Sequence, residues 1–271
     1  MARRRLDAEL VRRGLATSRT EAQAAVRDGL VFVGGRAAGK PSTLVDPAEP
    51  VELVAPARRF VSRGGEKLDA ALNRFEVAVE GRHALDAGAS TGGFTDCLLR
   101  RGAAHVAAVD VGYGQLAWSL RGDPRVSVLE RTNVRELRAD SLPFEPEIVV
   151  ADLSFISLRL VVGTLAGLAA GEANAVLLVK PQFEAGRDGV GPGGVVREPE
   201  RWEGAIRGVA EAARVAGLRP LDVMASPVRG PAGNVEFLLH AVKASVDAPS
   251  PGAEFDVGAA VAAGLEIAGR A

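Results

Sequence analysis

The sequence predicts a doubly wound α/β sheet preceded by a smaller α+β module, on three observations. The apolar run Ala84-Leu85-Asp86-Ala87 gives way to Gly88-Ala89-Ser90-Thr91-Gly92-Gly93, and a helical pattern, Phe94-Thr95-Asp96-Cys97-Leu98, opens at once. Strand, small-residue loop and helix in that order bring the first strand of a Rossmann-like sheet to a nucleotide-like ligand. Next, Val106-Ala107-Ala108-Val109 ends on Asp110, about 20 residues beyond the glycines, where such sheets hold the ribose hydroxyls of an adenosine. Finally, two further apolar runs end in charge, Glu147 to Asp152 and Ala175 to Lys180, as buried strands do when their carboxyl ends line a ligand crevice. Gly88, Gly92 and Gly93 let backbone N–H groups and a helix N-terminus approach a polar or anionic ligand. A tight strand-to-helix turn alone would ask for the same residues.

Composition bounds the rest. With 271 residues, 47% apolar and 25% charged, the chain can bury one large core and carry a small extra domain. No uninterrupted apolar stretch is long enough to cross a bilayer, and Met-Ala-Arg-Arg-Arg-Leu-Asp-Ala-Glu lacks the apolar core of a signal peptide, so the expectation is a cytoplasmic chain without stable membrane insertion. The single Cys97 cannot close an internal disulfide, and its place in an apolar helical pattern favours a buried structural thiol. A net charge of −1 conceals an asymmetry: residues 1–63 hold 12 Lys and Arg against 7 Asp and Glu, a net of +5, leaving −6 on the other 208. A basic head on an acidic body suggests a polyanion-binding module.

Taken in order, Leu6, Leu10 and Leu15 recur at near-helical spacing, with a stop near Gly14. Ser18-Arg19-Thr20-Glu21 has the form of a capping box, and Ala22, Ala25 and Val26 give the second helix a narrow apolar face ended by Asp28-Gly29. Leu30 to Val33, the turn Gly34-Gly35 and Pro50 to Val54 form a small β unit. This order, with Arg3, Arg4, Arg5, Arg12, Arg13, Arg19 and Arg27 on or beside the helices, resembles the small RNA-binding domain first seen in ribosomal protein S-four. Guanidinium groups on a helix pair suit phosphates along folded RNA, recognised by shape more than by base edges. The module spans residues 1–55, and Pro56 to Arg63 reads as a linker.

Val61-Ser62-Arg63-Gly64-Gly65-Glu66-Lys67-Leu68 resembles a signature of the TlyA family, and the likeness runs on to about Val242. The resemblance implies a class I methyltransferase sheet of the FtsJ-like group over residues 64–244, S-adenosylmethionine as cofactor, and 2′-O-methylation of cytidines in ribosomal RNA, free or within ribosomal subunits. Phe60 stands where the family often has tryptophan. Within this domain Gly112 to Trp118 is expected to start a helix, Val126 to Glu130 a short strand, and Glu198 to Ala216 a long helix. Leu221 to Met224 and Val235 to His240 form two last strands, and the turn Arg229-Gly230-Pro231-Ala232-Gly233-Asn234 between them allows an antiparallel pair. The tail, residues 245–271, is rich in Ala, Gly and Pro and lies beyond the resemblance.

For the cofactor, the strand ends and the resemblance together nominate Asp86, Gly88, Ser90, Gly92, Gly93, Phe94, Asp110, Val111, Asn133 and Asp152. Asn133 matches a position near the adenine, although a turn asparagine would look the same. Lys67, Asp152, Lys180 and Glu236 fall at the matching positions of the Lys-Asp-Lys-Glu tetrad of FtsJ-like 2′-O-methyltransferases. Lys180 is then the base or hydroxyl-orienting group and Asp152 its positioning partner, with Lys67 and Glu236 as electrostatic and alignment groups. A neighbouring Lys67 favours a neutral Lys180, and the two acids oppose it. Asp152-Leu153-Ser154-Phe155 lacks both the cysteine nucleophile of carbon methylation and the Pro-Pro-aromatic stretch common in amino methylation, which points to oxygen as acceptor. His83, His105 and His240 have no ligand spacing, so no metal is expected. Two alternatives remain: a membrane-active haemolysin, as the family's older description has it, and a nicotinamide-dependent oxidoreductase on a similar sheet.

Overall fold

A computed structural model describes residues 3–16, 18–54, 59–186, 189–243 and 255–269. It divides into two units, Met1–Arg58 and Arg59–Ala271. Residue 55 at the end of the expected module, residues 56–58 of the expected linker, residue 244 and residues 245–254, 270 and 271 of the tail lie outside the described residues.

In the first unit the leucine spacing produces α1 (Leu6–Arg12), entered from the two-residue β1 (Arg4–Arg5), and Gly14, at φ +70°, turns the chain after it. Helix α2 (Arg19–Arg27) starts where the capping pattern places it, with the Glu21 amide donating to Ser18 Oγ at 3.2 Å. Strands β2 (Val31–Val33), β3 (Arg36–Ala37), β4 (Leu44–Val45) and β5 (Val51–Leu53) follow. β1 pairs antiparallel with β4, and β3, β2 and β5 form a second antiparallel sheet. Leu6, Leu10, Ala22, Val26, Val31 and Val45 close the core between helices and strands.

The second unit runs α3 (Gly64–Arg74), β6 (His83–Ala87), α4 (Gly93–Arg100), β7 (His105–Val109), α5 (Trp118–Arg121), β8 (Val126–Leu129), β9 (Ile148–Ala151), α6 (Val162–Leu168), β10 (Ala173–Val179), α7 (Pro181–Glu184), α8 (Pro199–Val215), β11 (Arg219–Ala225), β12 (Phe237–Lys243) and α9 (Val257–Gly269). Its seven strands are ordered β11-β12-β10-β9-β6-β7-β8, with β6 to β10 mutually parallel and β12 antiparallel to both neighbours. Both faces are covered, and alternate residues of each strand enter opposite cores: Leu177 and Val179 face one, Val176 and Leu178 the other.

Two expectations need correction, and the tail adds an element. The stretch from Gly112 is not helical until Trp118, because Gly112 and Gly114 break the pattern and Asp110 Oδ1 accepts the Gly112 amide at 2.7 Å. The last strand begins at Phe237, so Glu236 precedes it instead of lying within it. The tail carries α9, which buries Val257 and Ala260 and rests Gly264 against Phe237 and Val235; Arg229 donates to the carbonyls of Ile267 and Ala268 at its end.

Candidate active site

The sheet order reverses between β6 and β9: β7 and β8 extend one way, β10 and β12 the other. Ligands of open α/β sheets bind outside the carboxyl ends of strands at such a point. A cleft of about 260 Å³ opens there, and Lys67, Asp152, Lys180 and Glu236 all line it, although they span 169 positions from first to last. Lys67 comes from α3, Asp152 from the residue after β9, Lys180 from the residue after β10, and Glu236 from the residue before β12.

The four groups form two pairs. Lys180 Nζ lies 2.6 Å from Asp152 Oδ1 and donates to Ser154 Oγ at 2.9 Å. Lys67 Nζ donates to Glu236 Oε2, with both side chains buried. Lys67 is thus compensated by its own acid, and the group facing Lys180 is Asp152. Among the described residues Glu236 Oε1 has no hydrogen-bond partner; it is buried beside Gly230, where a Cβ would stand 2.5 Å away.

The glycine loop is built by the chain's own packing as much as by any ligand. Gly88, at φ +88°, passes so close to β9 that a Cβ would lie 2.6 Å from the Asp152 carbonyl oxygen. A Cβ on Gly93 would collide with Ser62 Oγ and the Gly65 amide, so α3 and α4 meet through bare backbone. Gly92 caps α4, and a side chain there would enter Leu116 and Leu120. Gly88, Ser90, Gly93 and Phe94 line the cleft; Gly92 does not.

The other nominated cofactor residues have diverse placements. Asp110 closes the adjoining loop: Ser90 N donates to its Oδ2 at 2.8 Å and Gly112 N to its Oδ1. Val111, directly after it, is exposed. Asn133 Oδ1 accepts the Arg135 amide at 3.1 Å and its Nδ2 donates to Glu136, so both ends are spent on its own turn. Asp86 is fully buried; Thr95 Oγ1 donates to its Oδ2 at 2.6 Å, and Oδ1 has no hydrogen-bond partner among the described residues. Burial, with the nearby charges of Asp152 and Asp110, pushes its carboxyl up to about 7, against the Thr95 hydrogen bond. Asp86 supports the loop from beneath and does not reach the cleft surface.

Two aromatic side chains were not found by sequence reasoning. Phe155 is 92% exposed at φ +64°, a conformation L residues rarely adopt, and its ring lies 5.5 Å from that of Phe183 on α7. Lys180 Nζ is 5.8 Å from the Phe183 ring centroid, and the two rings line an open hollow of about 410 Å³. An aromatic in the short Asp-Leu-Ser-Phe loop directly after a buried strand was the available signal.

In the first unit the seven arginines nominated for RNA divide. Asp7, fully buried, accepts from Arg5 at 2.9 and 3.1 Å, from Arg19 at 3.2 Å and from Gln23 at 2.9 Å. Glu9, also buried, accepts from Arg12 at 2.5 and 2.8 Å and from Arg13 at 2.8 Å. These guanidiniums hold Asp7 well below the usual carboxylate range and Glu9 down to about 2. Arg3, Arg4 and Arg27 make no side-chain hydrogen bond or ion pair with the described residues.

Two families match the chain: the FtsJ-like methyltransferases over residues 60–243 and the S4 domain over residues 4–51. The 16S/23S rRNA (cytidine-2′-O)-methyltransferase TlyA of Mycobacterium tuberculosis is 55% identical over 241 residues, covering 88% of this chain and 90% of that protein. Hemolysin A of Brachyspira hyodysenteriae is 37% identical, covering 87% and 98%. A solved structure, described as a hemolysin from Streptococcus thermophilus, superposes with a TM-score of 0.76 at 38% identity, covering 98% of this chain and 97% of the other.

Proposed function

The chain belongs to the TlyA family, an S4 domain followed by an FtsJ-like methyltransferase domain, and from that premise we propose how its residues perform S-adenosylmethionine-dependent 2′-O-methylation of cytidine in ribosomal RNA. The observation that carries the reading is the convergence of Lys67, Asp152, Lys180 and Glu236 in one cleft at the sheet's reversal point. Membership replaces the oxidoreductase alternative. As for the haemolysin alternative, no described helix is long and apolar enough to cross a membrane.

The cleft suits the cofactor. Gly88 and Gly93 line it, Asp152 offers a carboxylate to a cationic centre, and Asp110, on the neighbouring loop where it holds the Ser90 amide, is the group we assign to the ribose hydroxyls. When bound, S-adenosylmethionine supplies an electrophilic methyl on a sulfonium. Lys180 Nζ, fixed by Asp152 and Ser154, orients the ribose hydroxyl; once Nζ has released a proton to solvent, the neutral amine takes up the hydroxyl proton as the oxygen becomes nucleophilic. Fixing that oxygen in line removes much of the barrier, on the order of 7–11 kcal/mol in favourable intramolecular systems. The Lys67–Glu236 pair aligns the opposite wall. Phe155, beside Phe183, provides the stacking face for the target base, worth about 1–3 kcal/mol per stacked base. Arginines of the S4 domain contact RNA phosphates, and the acceptor is ribosomal RNA, free or within a ribosomal subunit.

Ribosomal RNA incubated with the protein and S-adenosylmethionine, digested and read by nucleoside mass spectrometry, should contain 2′-O-methylcytidine. Lys180→Ala should lower the rate by about 10²-fold or more with the cofactor still bound. Turnover at the wild-type rate would remove the role given to Lys180.

A further inference from the structure

The acceptor side of the cleft is assembled from two separate segments. One is the loop after β9, whose Asp152 and Ser154 line the cleft and whose Phe155 lines the hollow described above; the other is Lys180, which lines the cleft, with α7, whose Phe183 lines that hollow. Phe155 has no core packing to hold its exposed ring, and its left-handed backbone is strained. Something must fix that loop.

Glu184, the last residue of α7, is buried, and three consecutive residues of the loop converge on it. The Leu158 amide donates to Oε1 at 2.7 Å, and Ser157 Oγ and Arg159 Nε donate to Oε2, the latter at 3.2 Å. Arg159 Nη2 also donates to the Glu184 carbonyl at 2.9 Å. Hydrogen bonds to a buried carboxylate are the strong kind, and removing the acceptor leaves desolvated donors behind. Pro181 opens α7 directly after Lys180, so the anchor and the lysine share one short rigid turn.

We infer that Glu184 is a positioning residue for the acceptor nucleoside: it clamps the 157–159 segment to α7 and so keeps Phe155 beside Phe183, within reach of Lys180. Glu184 does not line the cleft and touches no reacting atom; it acts through the loop. The inference rests on Phe155 being the base-stacking face.

The test is a double-mutant cycle on the full chain with ribosomal RNA and S-adenosylmethionine, comparing wild type, Phe155→Ala, Glu184→Gln and the double variant. Phe155→Ala and Glu184→Gln should each lower kcat/KM for RNA by about tenfold, and the second change should add less than about twofold on top of the first. Cofactor affinity, measured by calorimetry, should stay within about twofold of wild type in all four. Should Glu184→Gln fail to fold, Ser157→Ala removes one of the three donors and should show the same non-additivity at smaller amplitude. A wild-type kcat/KM for Glu184→Gln, or effects that multiply, would overturn the clamp while leaving the Phe155 reading intact. A wild-type kcat/KM for Phe155→Ala would overturn both.

Discussion

Asp86 shows how one side chain can set a pH slope. Its folded carboxyl titrates near 7 because it is buried, whereas the unfolded chain releases the same proton near 3.8. Between those values the folded state binds more protons, so stability falls as pH rises from about 4 to 7. His240 has the opposite sign. Burial lowers its ring to about 4, next to Asn174 and stacked on Phe75, so its unfolded form gains a proton below 6.5 and stability is lost as pH falls from there towards 4. The two slopes oppose each other between about pH 4 and 6.5. Asp86→Asn, which keeps an acceptor for Thr95, should therefore leave the histidine slope alone in that window and flatten the profile from about 6.5 to 7. Urea unfolding across pH reads this directly, and an unchanged profile would contradict the burial of an unpartnered carboxyl oxygen. Cys97, its thiol pushed up to about 12 by burial, contributes nothing in this range.

At the scale of elements, α1 and α2 are joined by charge as well as by leucines. Asp7 and Glu9 are held below their unfolded values by Arg5, Arg19, Arg12 and Arg13, so their contribution is complete above about pH 4.5 and is lost as pH falls towards 2. Protection factors of the α1 and α2 amides, exchange rates taken relative to the intrinsic rate at each pH, should fall across that interval, and Glu9→Gln should diminish the change; equal protection factors at pH 5 and pH 2.5 would count against the network. The arginine spacing announced a cationic face, but not that two buried acids orient four of its members. Strand and glycine-loop positions were legible because alternation and apolar runs are local properties of the sequence. The tetrad was legible only through the resemblance, since spacing cannot bring residues 67 and 236 together. Phe155, Phe183 and Glu184 escaped because a loop's path depends on hydrogen bonds formed after folding. Helix α9 escaped for another reason: its Ala- and Gly-rich sequence packs by close approach, Gly264 against Phe237, and so carries little amphipathic signal.

For the whole molecule, charge partition gives the clearest expectation. Residues 1–63 carry +5 and the remainder −6, so removing residues 1–55 should weaken ribosomal RNA binding and flatten its dependence on salt, because fewer counterions are released. Filter binding over a salt series measures both, and an unaltered slope would place the polyanion contacts elsewhere. The sheet carries a different kind of consequence. Its final strand, β12, does not lie at an edge but is threaded between β10 and β11. A nascent chain that has emerged only through residue 225 therefore leaves β10 bare, β11 without its sheet neighbour and the acid at 236 still to arrive. Premature termination before residue 243 removes a keystone instead of trimming a margin, because one late strand both joins β11 to the sheet and follows the last member of the tetrad.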